Sequence, residues 1–194
     1  MIEKDSNNYK GDIEKNKIFK KNTTKKIATA AIFVGIGIAL SNINPFAFIP
    51  IIGSKIFPFA HFINAITGVL IGLAFSTTTA LGIAIVRYFT GLGTINAFHG
   101  HISGAIVVSI FAYLLWKYKP KHVDLAALTE PLGTIFIAGT IAQLITPVSG
   151  EAFFIGLFFF WGLFGASSVP GCILGYLTLK ILRRAGISRK DYFE

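Results

Sequence analysis

The middle of this sequence is nearly empty of charge. Between Ile27 and Leu115 the full charges are Lys55 and Arg87 alone. Charged residues make up 14% of the 194-residue chain, whereas a soluble domain carries about 25%. That scarcity excludes an ordinary water-soluble globule. Cysteine is scarcer still: Cys172 stands alone in an apolar run, which excludes a disulfide framework and a cysteine metal site and leaves a small packing residue. Catalytic signatures are missing as well. The chain has no HExxH pair for zinc, no G-x-S-x-G elbow and no Walker A loop. No catalytic residue can be assigned, and ATP cannot be used without a partner. His99 and His101, two apart on a loop, are too few for a metal site, so neither metal nor cofactor is expected. No A-x-A cleavage site follows the first apolar run, so a removable signal peptide is not expected either.

What is present is hydrophobic length. Apolar residues make up 53% of the chain and the mean hydropathy is +0.66. Residues 1–22 are polar and rich in Lys and Asn, with too little apolar content to fold, and read as a disordered cytoplasmic tail. Apolar runs follow at Ile27–Ile43, Phe59–Phe75, Ala80–Phe89, Ile102–Tyr118, Leu125–Ile145 and Phe153–Leu182. Two irregular segments interrupt them: 44–58, broken by Pro45, Pro50, Gly53 and Pro58, and the Gly-rich 90–101. Ser76–Thr79 reads as a tight polar turn between the second and third runs. The last run exceeds the ~20 residues that cross a bilayer, and Pro170-Gly171 inside it should kink or end it. The expectation is an all-α integral membrane bundle of about six transmembrane helices spanning 23–185, followed by a tail at 186–194.

Basic residues orient the bundle. Eight of the 18 Lys and Arg lie in the first 26 residues. Others cluster at Lys117, Lys119 and Lys121, and from Lys180 to Lys190. Six crossings put all three clusters, and both termini, in the cytoplasm of a plasma-membrane protein. The basic head is a lipid-headgroup contact rather than a nucleic-acid site, since no base-reading module accompanies it.

Polar residues are costly in lipid and each needs a reason. Lys55, His61, Asn64, Arg87, Asn96, His99, His101 and Glu151 all fall at or near the outer face, from four separate segments, which favours a shared pocket. His61 and Asn64, three apart, share a helix face. Trp161 could flank the pocket. Glu130-Pro131, at a helix start, suits the helix dipole. Ala31, Gly35 and Ala39 form a small-residue stripe, as do Gly171 and Gly175. Such stripes serve internal packing or the docking of another membrane subunit equally well.

The stripe, IPIIGSKIFPFAHFIN (49–64), IVRYFTGLGTINAFHG (85–100) and TEPLGT (129–134) together resemble the substrate-capture (S) components of energy-coupling-factor (ECF) vitamin transporters, of the ThiW type, over roughly residues 25–185. The resemblance implies an S-component-like helical fold that binds hydroxyethylthiazole, the thiazole moiety of thiamine. It also implies as partners a transmembrane coupling subunit, docked on the Ala31, Gly35, Ala39 stripe, and two cytoplasmic ATPase subunits. A small heterocycle with one hydroxyl needs an apolar pocket with a few polar groups. Phe98 or Trp161 could stack on the ring, and His61, Asn64 or Asn96 could bond it, with Lys55, Arg87, His99 and Glu151 as further candidates. Thiamine, its pyrimidine moiety or another vitamin are the alternatives within transport. An intramembrane enzyme built on His61, His99 and Glu151, or a self-sufficient carrier, are the alternatives outside it.

Overall fold

The computed structural model describes residues 2–45, 48–49, 54–148 and 152–194, with side chains for 22–45, 56–148 and 152–194. The chain is an all-α membrane bundle. Helix α1 runs Ile2–Asn42. A two-residue hairpin, Phe48–Ile49 against Ser54–Lys55, follows within the irregular 44–58 segment. Next come α2 (Pro58–Leu70), α3 (Leu73–Phe89) and α4 (Asn96–Tyr118). Among the described residues four stretches are long and apolar enough to cross a membrane: Asn22–Asn42, Asn96–Tyr118, Pro120–Ile145 and Phe153–Arg184. The helices α2 and α3 are apolar but shorter.

The break between the second and third helices is not where the polar residues suggested. Ser76–Thr79 lies inside α3, and the turn is at Ile71-Gly72. The reason is local. Thr78 and Thr79 donate to the carbonyls of Ala74 and Phe75 (2.7 and 2.8 Å), and Ser76 Oγ meets Thr67 Oγ1 on α2 at 2.9 Å. Hydroxyls bonded back to the preceding turn fit a helix in an apolar setting. Gly72, at φ +80°, supplies the left-handed residue that reverses the chain.

The fifth span, Pro120–Ile145, is irregular by design of its sequence. A 3-10 stretch (Pro120–Thr129) meets a π stretch (Leu132–Ala138) and then α5 (Gly139–Ile145). Pro131 sits at the junction; it has no N–H to give to the carbonyl four residues back, and Glu130 N–H instead bonds Ala127 O. Helix α6 (Phe153–Arg184) passes through Pro170 without ending. Helix interruptions of this kind are tolerated in membrane helices because neighbouring groups re-satisfy the backbone.

Helix α2 is the centre, packed against α6, α4, α3 and the fifth span. Ile63, Ala65, Ile66 and Val69 on it are fully buried. Glycines set the approach of α6. A Cβ at Gly171 would strike the Pro58 carbonyl and His61 Cβ, and one at Gly175 would strike Ala65 Cβ. The Gly171/Gly175 stripe is thus internal packing. The Ala31/Gly35/Ala39 stripe differs: all three are exposed, and among the described residues nothing lies within 4 Å of a Cβ built at Gly35. On α1 it is Gly37 that faces inward, against Ile83 and Ile63.

The basic clusters gather at one end. Arg183 pairs with Asp124 (3.0 Å) and donates to Lys121 O (3.0 Å), while Lys25 donates to Asp191 O (3.2 Å). The C-terminal tail, closed by α7 (Lys190–Phe193), folds back on the bundle. Arg189 donates to Val69 O (2.6 Å) and Gly68 O (3.4 Å) at the end of α2, and burial pulls its pKa down to about 10, so it stays charged at neutral pH. Its guanidinium stacks on Phe193, as does the Lys26 ammonium. Arg189→Ala removes the donor from helix-terminal carbonyls in a buried place and should cost about 1–3 kcal/mol of stability. Thermal unfolding in detergent is the check, and a midpoint equal to wild type would mean that the tail docks without stabilising the bundle.

Candidate functional site

His61, Asn64, Arg87, His101, Glu130, Thr134 and Ser168, all buried, form one connected network. Its centre is Glu130, fully buried in the fifth span. Oε1 accepts from His61 Nδ1 (2.8 Å), from Thr134 Oγ1 (2.6 Å) and, more weakly, from Asn64 Nδ2 (3.3 Å). Oε2 accepts from Ser168 Oγ of α6 at 2.5 Å. Four donors from three helical segments thus surround one carboxylate, which is how a charge is kept in a low-dielectric interior. Glu130 is therefore no helix-dipole residue at a water-facing start; it ties α2 and α6 to the fifth span. Close backbones make this possible. Gly104 of α4 leaves room where a Cβ would collide with Glu130 Oε1, and Gly133 sits on the Ser103 carbonyl.

Asn64 extends the network by donating to His101 O at 2.8 Å. His101 Nε2 lies 3.0 Å from Arg87 Nη1. A guanidinium only donates, so Nε2 is the bare acceptor and the imidazole proton resides on Nδ1. Arg87 also donates through Nη2 to Leu92 O (3.0 Å) and stacks on the Phe57 ring, 4.2 Å from its centroid. His61, with Nδ1 engaged by Glu130, keeps Nε2 free of protein partners among the described residues.

Above the network lies a cavity of about 60 Å³. Its apolar wall is Ile56, Phe57, Phe160, Leu163 and Phe164; its polar wall is His61, Arg87, Thr94, Asn96, His101 and Ser167. The walls come from the segment after the hairpin, α2, α3, the 90–95 loop, α4 and α6, at the end of the bundle opposite the docked tail.

The sequence-derived candidates separate on this geometry. His61, Arg87 and Asn96 line the cavity. Asn64 lies one layer deeper, as a support for Glu130 and for the α4 backbone. His99 turns the other way from His101: its Nε2 bonds Asn96 Oδ1 (3.0 Å) and its ring lies beside Phe164. Trp161 donates to Thr140 Oγ1 (3.2 Å) and sits edge-on to Phe136 and Phe158, away from the cavity. Phe98 packs on Tyr88, and the rings that do line the cavity are Phe57, Phe160 and Phe164. The Lys55 side chain and Glu151 lie outside the described residues. Glu130, Thr134 and Ser168 were missed as members of the site; the Glu-Pro pair at mid-span, with a threonine one turn on, is the signal that marks them.

A family model for ThiW, the thiamine-precursor transporter protein, matches residues 27–185. The chain belongs to this family. No match was found among curated proteins or among solved structures. A ThiW-family chain acts in transport of a thiamine precursor.

Glu130→Gln keeps the volume but turns one acceptor into a donor facing Ser168, His61 or Thr134. The expected loss is about 1–3 kcal/mol of stability, from leaving buried donors unsatisfied. The loss should be read from thermal unfolding of the ligand-free protein; a neutral outcome would show that the carboxylate charge is dispensable to the packing.

Proposed function

We propose that this chain is the substrate-capture component of an ECF transporter and binds hydroxyethylthiazole in the cavity lined by His61, Arg87 and Asn96. The observation that carries this reading is the cavity itself, whose aromatic and aliphatic wall faces a polar wall inside the fold of a thiamine-precursor transporter family. The ring fits against Phe57, Phe160 and Phe164. With the ring proton on Nδ1, His61 Nε2 accepts a hydrogen bond from the hydroxyl. Asn64 and His99 act from behind, by fixing Glu130 and Asn96. Trp161 stands outside this arrangement, and Lys55 and Glu151 are outer-face candidates for first capture.

In this reading the chain is not an enzyme. The docked, basic end of the bundle is cytoplasmic, following the positive-inside rule, and the cavity opens to the outside of the plasma membrane. ATP is used by two cytoplasmic ATPase subunits and coupled through a transmembrane subunit. The exposed Ala31, Gly35 and Ala39 on α1 suit that subunit, because small residues allow close helix approach where lipid tails add no packing.

Two experiments test the halves of the proposal separately. Calorimetry on the purified protein should show hydroxyethylthiazole binding, weakened on the order of 5- to 150-fold by His61→Ala, the equivalent of ~1–3 kcal/mol for one hydrogen bond in a dry pocket. Tight binding of the pyrimidine moiety with none of the thiazole would reassign the ligand and leave the transport role. Gly35→Leu should leave that binding intact, since among the described residues nothing lies within 4 Å of a Cβ at Gly35, while uptake by cells is lost. Retained uptake would move partner docking off this stripe.

A further inference from the structure

The cavity is electrically one-sided. Arg87 is 4% exposed and lines it, yet among the described residues the partners of its guanidinium are neutral: His101 Nε2, the Leu92 carbonyl and the Phe57 ring. Among those residues its Nε has no partner, and Thr94 Oγ1, on the loop ahead of α4 and also in the cavity wall, has none either. Among the described residues no carboxylate lines the cavity. Glu130, the carboxylate of the network, is held by four donors of its own. A guanidinium so placed makes the Arg87 side of the cavity the positive one, with the Glu130 carboxylate a layer below it behind His61.

We propose that Arg87 makes the cavity a charge filter. It accepts an uncharged thiazole, with the oxygen-bearing arm toward the Arg87 guanidinium and Thr94. It refuses the thiazolium cation formed when the ring nitrogen is alkylated, as in intact thiamine. The inference rests on the thiazole reading above and adds to it the physical basis for taking the precursor rather than the assembled vitamin. The oxygen accepts hydrogen bonds that Arg87 Nε and Thr94 otherwise lack. A fixed cation about 6 Å from the guanidinium loses about threefold in affinity at the dielectric of bulk water and on the order of 100-fold at the effective dielectric of about 20 that suits protein sites.

The test is calorimetric titration of the purified full-length protein with two probes, hydroxyethylthiazole and its N-methylthiazolium derivative. Wild type should bind the neutral probe at least about tenfold more tightly. Because N-methylation also adds bulk, the decisive comparison is between variants. Arg87→Gln should bring the ratio of the two affinities toward one, and Arg87→Lys, which keeps the charge, should preserve it. Similar affinities of wild type for the two probes would overturn the filter while leaving thiazole binding in place. So would an unchanged ratio in Arg87→Gln. If Arg87→Gln does not fold, loss of the preference in Arg87→Lys overturns it instead, and its retention supports it. Absence of binding by either probe to wild type would overturn the thiazole reading and the filter together.

Discussion

One buried carboxylate organises the interior of this bundle. Glu130 collects donors from α2, α6 and its own span, and each of those side chains has its place fixed by that acceptor. Lipid supplies no hydrogen bonds, so a charge here must be satisfied entirely by protein. The requirement reaches outward. His61 is held in one orientation with one ring nitrogen committed, Asn64 is left to hold the α4 backbone, and the glycines at 104 and 133 are needed because four polar groups and two backbones share one place. The cavity wall is built on this layer and inherits its rigidity.

Apolar length made the outer architecture legible. The first, fourth and sixth spans lie where their apolar runs predict, but the glycine-rich loop is shorter than expected, because residues 96–101 already form the start of α4. The grouping of the basic residues anticipates the end at which α1, the fifth span and the tail meet. The second and third helices were harder to divide. Four consecutive hydroxyl residues look like a turn when hydration is assumed, whereas in an apolar setting they bond to carbonyls one turn back and the single left-handed glycine makes the reversal.

The interior was legible residue by residue but not as a network. Polar positions in apolar runs mark His61, Asn64 and Arg87 as costly, and therefore as positions with a reason, but cost does not reveal partners. His61 and Glu130 are 69 residues apart, on segments whose mutual rotation no periodicity encodes. Glu130 also sits beside a proline, where an acid has a sufficient local explanation. The aromatic wall was equally hidden. In a run such as Phe158–Phe160 followed by Trp161, adjacent rings point in different directions around the helix, and only Phe160 of these four lines the cavity.

The folded-back tail has a practical consequence for handling the protein. Lys25 and Thr29 of α1 touch Asp191 and Tyr192, and Glu194 follows directly, its carboxylate 3.2 Å from the Lys190 ammonium. Anything fused straight onto Glu194 therefore emerges beside the membrane-entry point of the first helix. An affinity handle attached there without a spacer would crowd the helix that carries the exposed Ala31, Gly35 and Ala39, and a biochemist purifying the chain would be wise to insert a long flexible linker first.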